Sequence, residues 1–140
     1  MTTYESDIKT IRRSAEESYL LFADLNNIAK IKDKIPTDKV KSLEFDTDSC
    51  SLAVDPVGKI TFVIENREPF NTIKFGTKES PVPFNLWIQF KSLSENDTRM
   101  KLTIKAELPM MIKTMFGNKI QDFLNSLAEM MSTALNNYNL

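Results

Sequence analysis

The stretch MKLTIKAELPMMIKTMFGNKIQDFLNSLAEMMSTALNNY, Met100 to Tyr138, changes its hydrophobic period once, at Pro109. Before the proline, Met100, Leu102, Ile104, Ala106 and Leu108 alternate with other residues, the period of two that a strand with one buried face requires. After it, Phe116, Ile120, Phe123, Leu124, Leu127, Met130, Met131, Ala134, Leu135 and Tyr138 fall within an arc of roughly 140° when placed at about 100° per residue. Lys119, Asp122, Asn125 and Glu129 lie outside it. The spacing predicts a strand and then one long amphipathic helix, with Leu127 near the middle of its apolar face and Asp122 and Glu129 toward solvent. Such a helix must bury its stripe against something large, and a curved sheet is the partner that the rest of the chain offers. Gly117 predicts a bend or a close backbone approach, because glycine costs about 1 kcal/mol against alanine inside a helix. The tail from Asn136 to Leu140 is expected to fray.

Working back toward the N-terminus, the period of two persists from Val40 onward, with turn signals about every ten residues, the pattern of an antiparallel meander. Leu43 and Phe45 precede Asp46, Thr47 and Asp48. Cys50, Leu52 and Val54 lead into Asp55, Pro56, Val57 and Gly58, where proline pre-sets the second turn position. Ile60, Phe62 and Ile64 continue the inner face, and Pro69 bends or ends that strand. Ile73 and Phe75 run up to Pro81 and Pro83, which preclude an interior strand there. Phe84, Leu86, Ile88 and Phe90 form the next strand. At the start of the chain, Tyr4, Ser6 and Ile8 share one face of a strand over residues 3–11, which makes seven strands in all. Ser14 and Glu17 then have capping-box spacing, the hydroxyl accepting from the Glu17 amide and the carboxylate reaching back to the Ser14 amide. A helix carrying Ala15, Tyr19, Phe22 and Ala23 follows. After Asn26 and Asn27 comes a second short helical piece with Ile28, Ile31 and Ile35, stopped by Pro36.

Composition bounds what these elements can do. The 140 residues, 41% of them hydrophobic, are too apolar for disorder and form one domain, 1–140, burying about two thirds of the extended surface. Eighteen Lys and Arg face nineteen Asp and Glu, balanced along the chain, so no segment is a basic footprint for nucleic acid. The longest apolar runs are about five residues, far short of the roughly 18 of a membrane span. The N-terminus turns charged at once, without the apolar core of a signal peptide, and a cytoplasmic location is expected. A single cysteine excludes an internal disulfide, and with no histidine the common zinc and triad chemistries lose their usual ligand and base. No metal, cofactor or catalytic residue is expected.

The order strand, two short helices, six-strand meander and long C-terminal helix resembles the helix-grip fold of the START-like superfamily called SRPBCC. The resemblance is carried by Tyr4, Glu5 and Ser6 before the capped helix Ser14 to Leu25, by Asp55 to Gly58, by Pro83 to Ile88, and by Lys101 to Leu108 before the last helix. It covers nearly the whole chain and is nearest to small uncharacterised bacterial members, among polyketide cyclase/dehydrase-like proteins. It implies a curved α+β fold whose antiparallel sheet wraps the C-terminal helix, with a cavity between them for an apolar or amphipathic small molecule. The family often carries a Trp soon after the first helix, where this chain has Ile31 and Lys32.

The inward registers and that implied cavity give as candidate lining residues Tyr4, Ser6, Phe45, Phe62, Phe75, Phe84, Leu86, Ile88, Leu102, Ile104, Phe123, Leu127 and Met131. Packed dry, the same residues are simply core. Ser6, Asn66, Asn71, Thr77 and the Tyr4 hydroxyl are the polar groups of the inner register, although Asn at strand ends also forms turns. Cys50 reads as a buried small hydrophobe, and Glu65, Glu68 and Glu107 as solvated. Five of the seven methionines sit in or beside the last helix, as core filler or as an adaptable surface. Trp87 is out of phase with Leu86 and Ile88 and should lie on the outer face. The function expected first is non-catalytic binding or transport of a small hydrophobic ligand. A cyclase- or dehydratase-like enzyme using Tyr4, Ser6 or a polar strand-end group is the alternative, and an interaction module docking through Trp87 and the methionines is a third. The expected partners are the small ligand and a second copy in a weak homodimer.

Overall fold

The computed structural model describes residues 1–31, 41–54, 58–80 and 83–137. Eight strands, β1 (Thr2–Glu5), β2 (Lys9–Ile11), β3 (Lys41–Phe45), β4 (Ser49–Val54), β5 (Gly58–Glu68), β6 (Thr72–Glu79), β7 (Phe84–Ser94) and β8 (Asp97–Ala106), form one antiparallel sheet. Its order is β1-β8-β7-β6-β5-β4-β3, with β2 beside β1 on the same edge of β8. Between β2 and β3 lie α1 (Ala15–Ala23), a 3-10 turn (Leu25–Asn27) and α2 (Ile28–Ile31), and the chain closes with α3 (Met110–Asn137). This α+β arrangement, an open sheet against a long C-terminal helix, is the helix-grip architecture. The turn expected around Pro56 and the stop at Pro36 lie outside the described residues.

Local chemistry places the helices as the spacing predicts, with one change. The Glu17 amide donates to Ser14 Oγ at 3.1 Å, but the Glu17 carboxylate meets the Ser14 hydroxyl (3.3 Å) and the Arg13 guanidinium (3.4 Å), not the Ser14 amide. At the β3–β4 turn, Asp46 Oδ1 accepts from the amides of Asp48 and Ser49 and from the Ser49 hydroxyl. Those bonds, the Asp48 amide first, hold the Asp46 carboxyl below its ordinary pKa of 3.8.

Two irregularities correct the strand reading. The first strand is not continuous: it breaks over Ser6 to Ile8, and pairing resumes with Lys9 opposite Met100. The break lets Ser6 point inward while Ile8, expected on the same face, is left exposed. In β5 the register shifts between Ile64 and Asn66, so Glu65 and Asn66 both lie exposed and Arg67 comes opposite Ile73. Arg67 then donates to the Ala23 carbonyl at 2.9 Å and pairs with Asp48 at 2.6 Å, tying the end of α1 to the β3–β4 turn.

The inner face can be followed across the sheet in pairing rows. Phe45, Cys50, Phe62 and Thr77 form one; Ile64, Phe75, Leu86, Ile104 and Tyr4 the next; Ile73, Ile88 and Leu102 a third. Above them α1 packs on β6 and β7, and α3 on β1, β2 and β8. The fully buried residues of α3 are Leu124, Ala128, Met131, Ser132, Ala134 and Leu135, all in its second half. Three of the six are small, which lets the backbone approach the sheet there. Leu127 is therefore not the middle of the buried face but its flank, and it is only half-buried. The expected fraying also fails at Asn136, which accepts from the Arg12 amide at 2.7 Å and donates to the Thr10 carbonyl at 3.0 Å; residues 138–140 lie outside the described residues.

Candidate ligand-binding cleft

The two halves of α3 differ in what holds them. The second half is seated by its buried face and by Asn136, while Arg13 Nε donates to the Leu135 carbonyl and Lys9 pairs with Glu129. In the first half no residue before Leu124 is fully buried. Instead Ile112, Phe116, Ile120 and Phe123, at helical spacing along one flank, are all half-buried, and the same flank continues half-buried through Leu127 and Met130 in the second half. Apolar side chains in a dry core reach near-complete burial. This flank of α3 is thus only partly covered, with Ile120, Phe123 and Leu127 packed against the margin of the buried core.

The sheet presents a matching set at the same end. Phe84 begins β7 opposite Ala106, the last residue of β8 before α3, and is half-buried, as are Phe45 and Tyr4. The Phe62 ring stands edge-on to Phe84 at 5.7 Å and to Phe75 at 6.3 Å, forming an aromatic wall. The candidate residues thus separate into two layers. Phe62, Phe75, Leu86, Ile88, Leu102, Ile104 and Met131 are buried, whereas Tyr4, Phe45, Phe84, Phe123 and Leu127 are half-buried and packed against that core. The pattern missed Phe116 and Ile120, which were in the predicted arc but not among the candidates; their periodicity could have found them.

The polar candidates divide as well. Ser6 is buried, but its hydroxyl donates to the Asp7 carbonyl and accepts from the Leu102 amide, both at 2.9 Å, so it bridges the strand break and has no reach toward a ligand. Asn66 is turned outward by the bulge, and exposed Asn71 forms the β5–β6 turn, its carbonyl accepting from the Phe90 amide at 2.7 Å. Thr77 Oγ1 accepts from the Phe84 amide at 3.2 Å. The Tyr4 hydroxyl sits against the backbone of α3, where a Cβ on Gly117 would be 3.1 Å away, which is the close approach that glycine signalled. Among the described residues it has no hydrogen-bond partner. Lys119 stands at the outer margin of the half-buried row, its ammonium 5.6 Å from the Phe116 ring centroid.

Trp87 does lie on the outer face, but its neighbours are not apolar. Lys74 and Lys105 place their ammonium groups 5.6 Å from its ring centroid, so long cationic side chains flank the half-buried indole. Met110, Met111 and Met115 are exposed at the start of α3, whereas Met131 is core. Glu65 and Glu107 are exposed, and Cys50 is buried with its thiol pKa pushed up to about 11 by desolvation. Among the described residues no group of three His, Cys, Asp or Glu could hold a metal ion, and no helix is long and apolar enough to cross a membrane.

No family model matches the sequence, and no curated protein does. Solved structures do match in shape. Norcoclaurine synthase from Thalictrum flavum, in complex with dopamine and hydroxybenzaldehyde, superposes with a TM-score of 0.78 at 12% identity, over 99% of this chain and 90% of that one. The Aha1 dimer from Colwellia psychrerythraea gives 0.70 at 13% identity over the full length of both chains. A START superfamily protein from Mycobacterium smegmatis gives 0.64 at 11% identity over 95% and 96%. At such identities the likeness is one of fold, and together with the strand order and the gripped helix it shows that this chain has the START-like, SRPBCC helix-grip fold.

Proposed function

We propose that the whole chain acts as one START-like domain that binds or carries a small amphipathic molecule in the cleft between the first half of α3 and the sheet, without catalysis. The observation that carries this is the half-buried apolar row from Ile112 to Met130 on the helix that packs against β1, β2 and β8, together with the half-buried Tyr4 and Phe84 of the inner face. Ligand sites are mostly apolar and aromatic with a few polar anchors. Tyr4 and Lys119 supply those anchors: an unpartnered hydroxyl on the wall and a cation at the margin. The apolar body of the ligand lies against Phe62, Phe84, Phe123 and Leu127, with an anionic or hydrogen-bonding end toward Lys119 or Tyr4. Norcoclaurine synthase, which holds two aromatic molecules on this fold, supports a ligand-binding reading and leaves the chemistry open. The cyclase-like alternative would have to draw its proton transfer from Tyr4, since Ser6 is fully bonded.

Native mass spectrometry of freshly purified protein, with an anionic and a neutral environment-sensitive dye as competing probes, tests the reading. The expected result is a bound small molecule or saturable dye binding, with Lys119→Glu weakening the anionic dye more than the neutral one. Absence of any bound molecule together with absence of dye binding overturns it. A weak homodimer through exposed Met110, Met111 and Met115 is the accompanying proposal, and a sedimentation coefficient that does not change with concentration overturns that part alone.

A further inference from the structure

The outer face of the sheet carries a second concavity that the cleft does not explain. A groove of about 690 Å³ crosses β6, β7 and β8, and its lining includes Ile8, Phe70, Gln89, Lys91, Arg99 and Lys101. Alternation places these strand residues opposite the core: Ile88, Phe90, Met100 and Leu102 are buried, while Gln89, Lys91, Arg99 and Lys101 point the other way. Ile8 reaches the groove because the break between β1 and β2 turns it outward beside β8. Phe70 reaches it from the β5–β6 turn on the far side. With neighbouring strands about 4.8 Å apart, the two apolar side chains are separated by three strand intervals, about 14 Å. That width admits an extended segment or one helix of about 10–12 Å diameter.

Both flanking residues are apolar and open to solvent, Ile8 at 66% and Phe70 at 42%. Phe70 is also held at φ 60°, a conformation that a bulky side chain rarely adopts, with its ring edge-on to Tyr19 at 5.7 Å. Between the flanks the charge is of one sign. Lys91, Arg99 and Lys101 line the groove, and among the described residues no carboxylate does. Arg99 pairs with Asp97, and Lys101 with Glu5 at 3.3 Å, both acids lying outside the lining; Lys91 has no ion-pair partner among the described residues. Exposed pairs of this kind contribute little, so an incoming carboxylate can replace them at small cost. Lys105 beside Trp87 extends the positive charge along the outer face, and Lys74, also beside the indole, is paired with Glu65 at 3.8 Å. The chain as a whole has a formal charge of −1, so this field is a product of folding.

We propose that this groove docks an acidic segment of another protein, one whose carboxylates meet Lys91, Arg99 and Lys101 while apolar side chains cover Ile8 and Phe70. Three cations give a nucleic acid only a weak hold through counterion release. The two separated apolar flanks favour a peptide, because a peptide supplies both charge and apolar contact along one line.

A fluorescein-labelled peptide of alternating Glu and Leu is the probe, read by anisotropy at low and at physiological salt. Its counterpart with Lys in place of Glu, a single-stranded oligonucleotide and phosphatidylserine vesicles are tested in parallel. Binding of the acidic peptide alone is expected, weakening with salt and falling about tenfold in Lys91→Glu combined with Lys101→Gln. Ile8→Ser, a change at a solvent-exposed position, should weaken it independently. Thermal unfolding and dye binding in the cleft should be unchanged in both variants, which separates this site from the ligand cleft. No binding of the acidic peptide, equal binding by the variants, or binding of the oligonucleotide or vesicles in its place overturns the proposal.

Discussion

The Cys50 thiol is buried on the inner face of β4, and loss of solvent pushes its pKa from 9.0 up to about 11. At pH 8 only about one thiol in a thousand is then ionised, and the thiolate is the reactive form. A thiol reagent should label the native protein at least about 100-fold more slowly than the urea-unfolded chain; rapid native labelling would show that the inner register of β4 is wrong. The same shift has a stability consequence. Between pH 9 and about 11 the unfolded chain loses this proton and the folded chain keeps it, so stability falls as pH rises, by up to about 1.4 kcal/mol per unit. Cys50→Ala removes that slope, which parallel urea titrations at several pH values would reveal. On the other face, Gly76 leaves room for a neighbour: a Cβ there would lie 2.3 Å from Glu65 Oε2. Glu65 crosses that gap to accept from Asn85 Nδ2 at 3.0 Å, with the Lys74 ammonium 3.8 Å away. Gly76→Ala should displace this flexible carboxylate and not the backbone. Its loss is offset by the roughly 0.5–1 kcal/mol that alanine gains over glycine in a strand. The net change is expected to stay within about 1 kcal/mol, and in a Glu65→Ala background the same substitution should be stabilising. Purely additive urea midpoints across the four proteins would contradict the contact.

At the scale of the element, α3 is the informative case, since its two flanks do different work. One flank carries Gln121, Asn125 and Asn136, which bond the backbone of the broken edge strand: Gln121 Nε2 donates to the Glu5 carbonyl at 2.8 Å and Asn125 accepts from the Asp7 amide at 3.3 Å. An edge strand interrupted at Ser6 to Ile8 would otherwise present free amides and carbonyls. Asn136→Ala should cost about 1 kcal/mol, and hydrogen exchange at the Arg12 amide should accelerate while amides in β7 are unaffected. The middle of the helix is set by Leu124, fully buried, and the other flank by half-buried Leu127. Leu124→Ala is expected to cost about 2–5 kcal/mol and Leu127→Ala well under half of that, because the second removes a side chain that solvent already reaches. Equal losses, measured by denaturant unfolding, would mean that the helix is seated evenly along its length.

At the scale of the molecule, one end of the fold is more heavily stapled than the other. Arg67, Asn26 and Leu25 tie α1 and the 3-10 turn to the β3–β4 turn, and Thr98 Oγ1 donates to the Arg13 carbonyl at 2.7 Å. The first half of α3, at the opposite end of β8, has no comparable set of bonds among the described residues beyond Gln121. Leu127→Trp probes the space between it and the sheet. In an open cleft the indole fills room, so the urea midpoint should hold or rise while binding of the apolar dye falls. In a packed interior the same change would cost about 1–3 kcal/mol, and that loss, with no dye bound by the wild type, would sink the ligand-binding reading.

Some of this was legible in the chain alone. The change of period at Pro109, the alternation from Val40 onward and the Ser14–Glu17 spacing foretold the element order, because a period or a cap depends on residues no more than four apart. They also placed Phe62, Phe75, Leu86, Ile88, Leu102 and Ile104 on the inner face. The bulge beside Ile64 was not legible, since what calls for it is a partner from another element: Arg67 must reach Ala23. The turning out of Ile8 and Asn66, the half-burial of Leu127 and the gathering of Lys74, Lys91, Arg99, Lys101 and Lys105 on one face likewise come from pairings between distant segments. Periodicity determines which side of a strand or helix is apolar. Only tertiary contact decided how tightly each apolar side is covered, and the cleft and the groove are both consequences of that coverage.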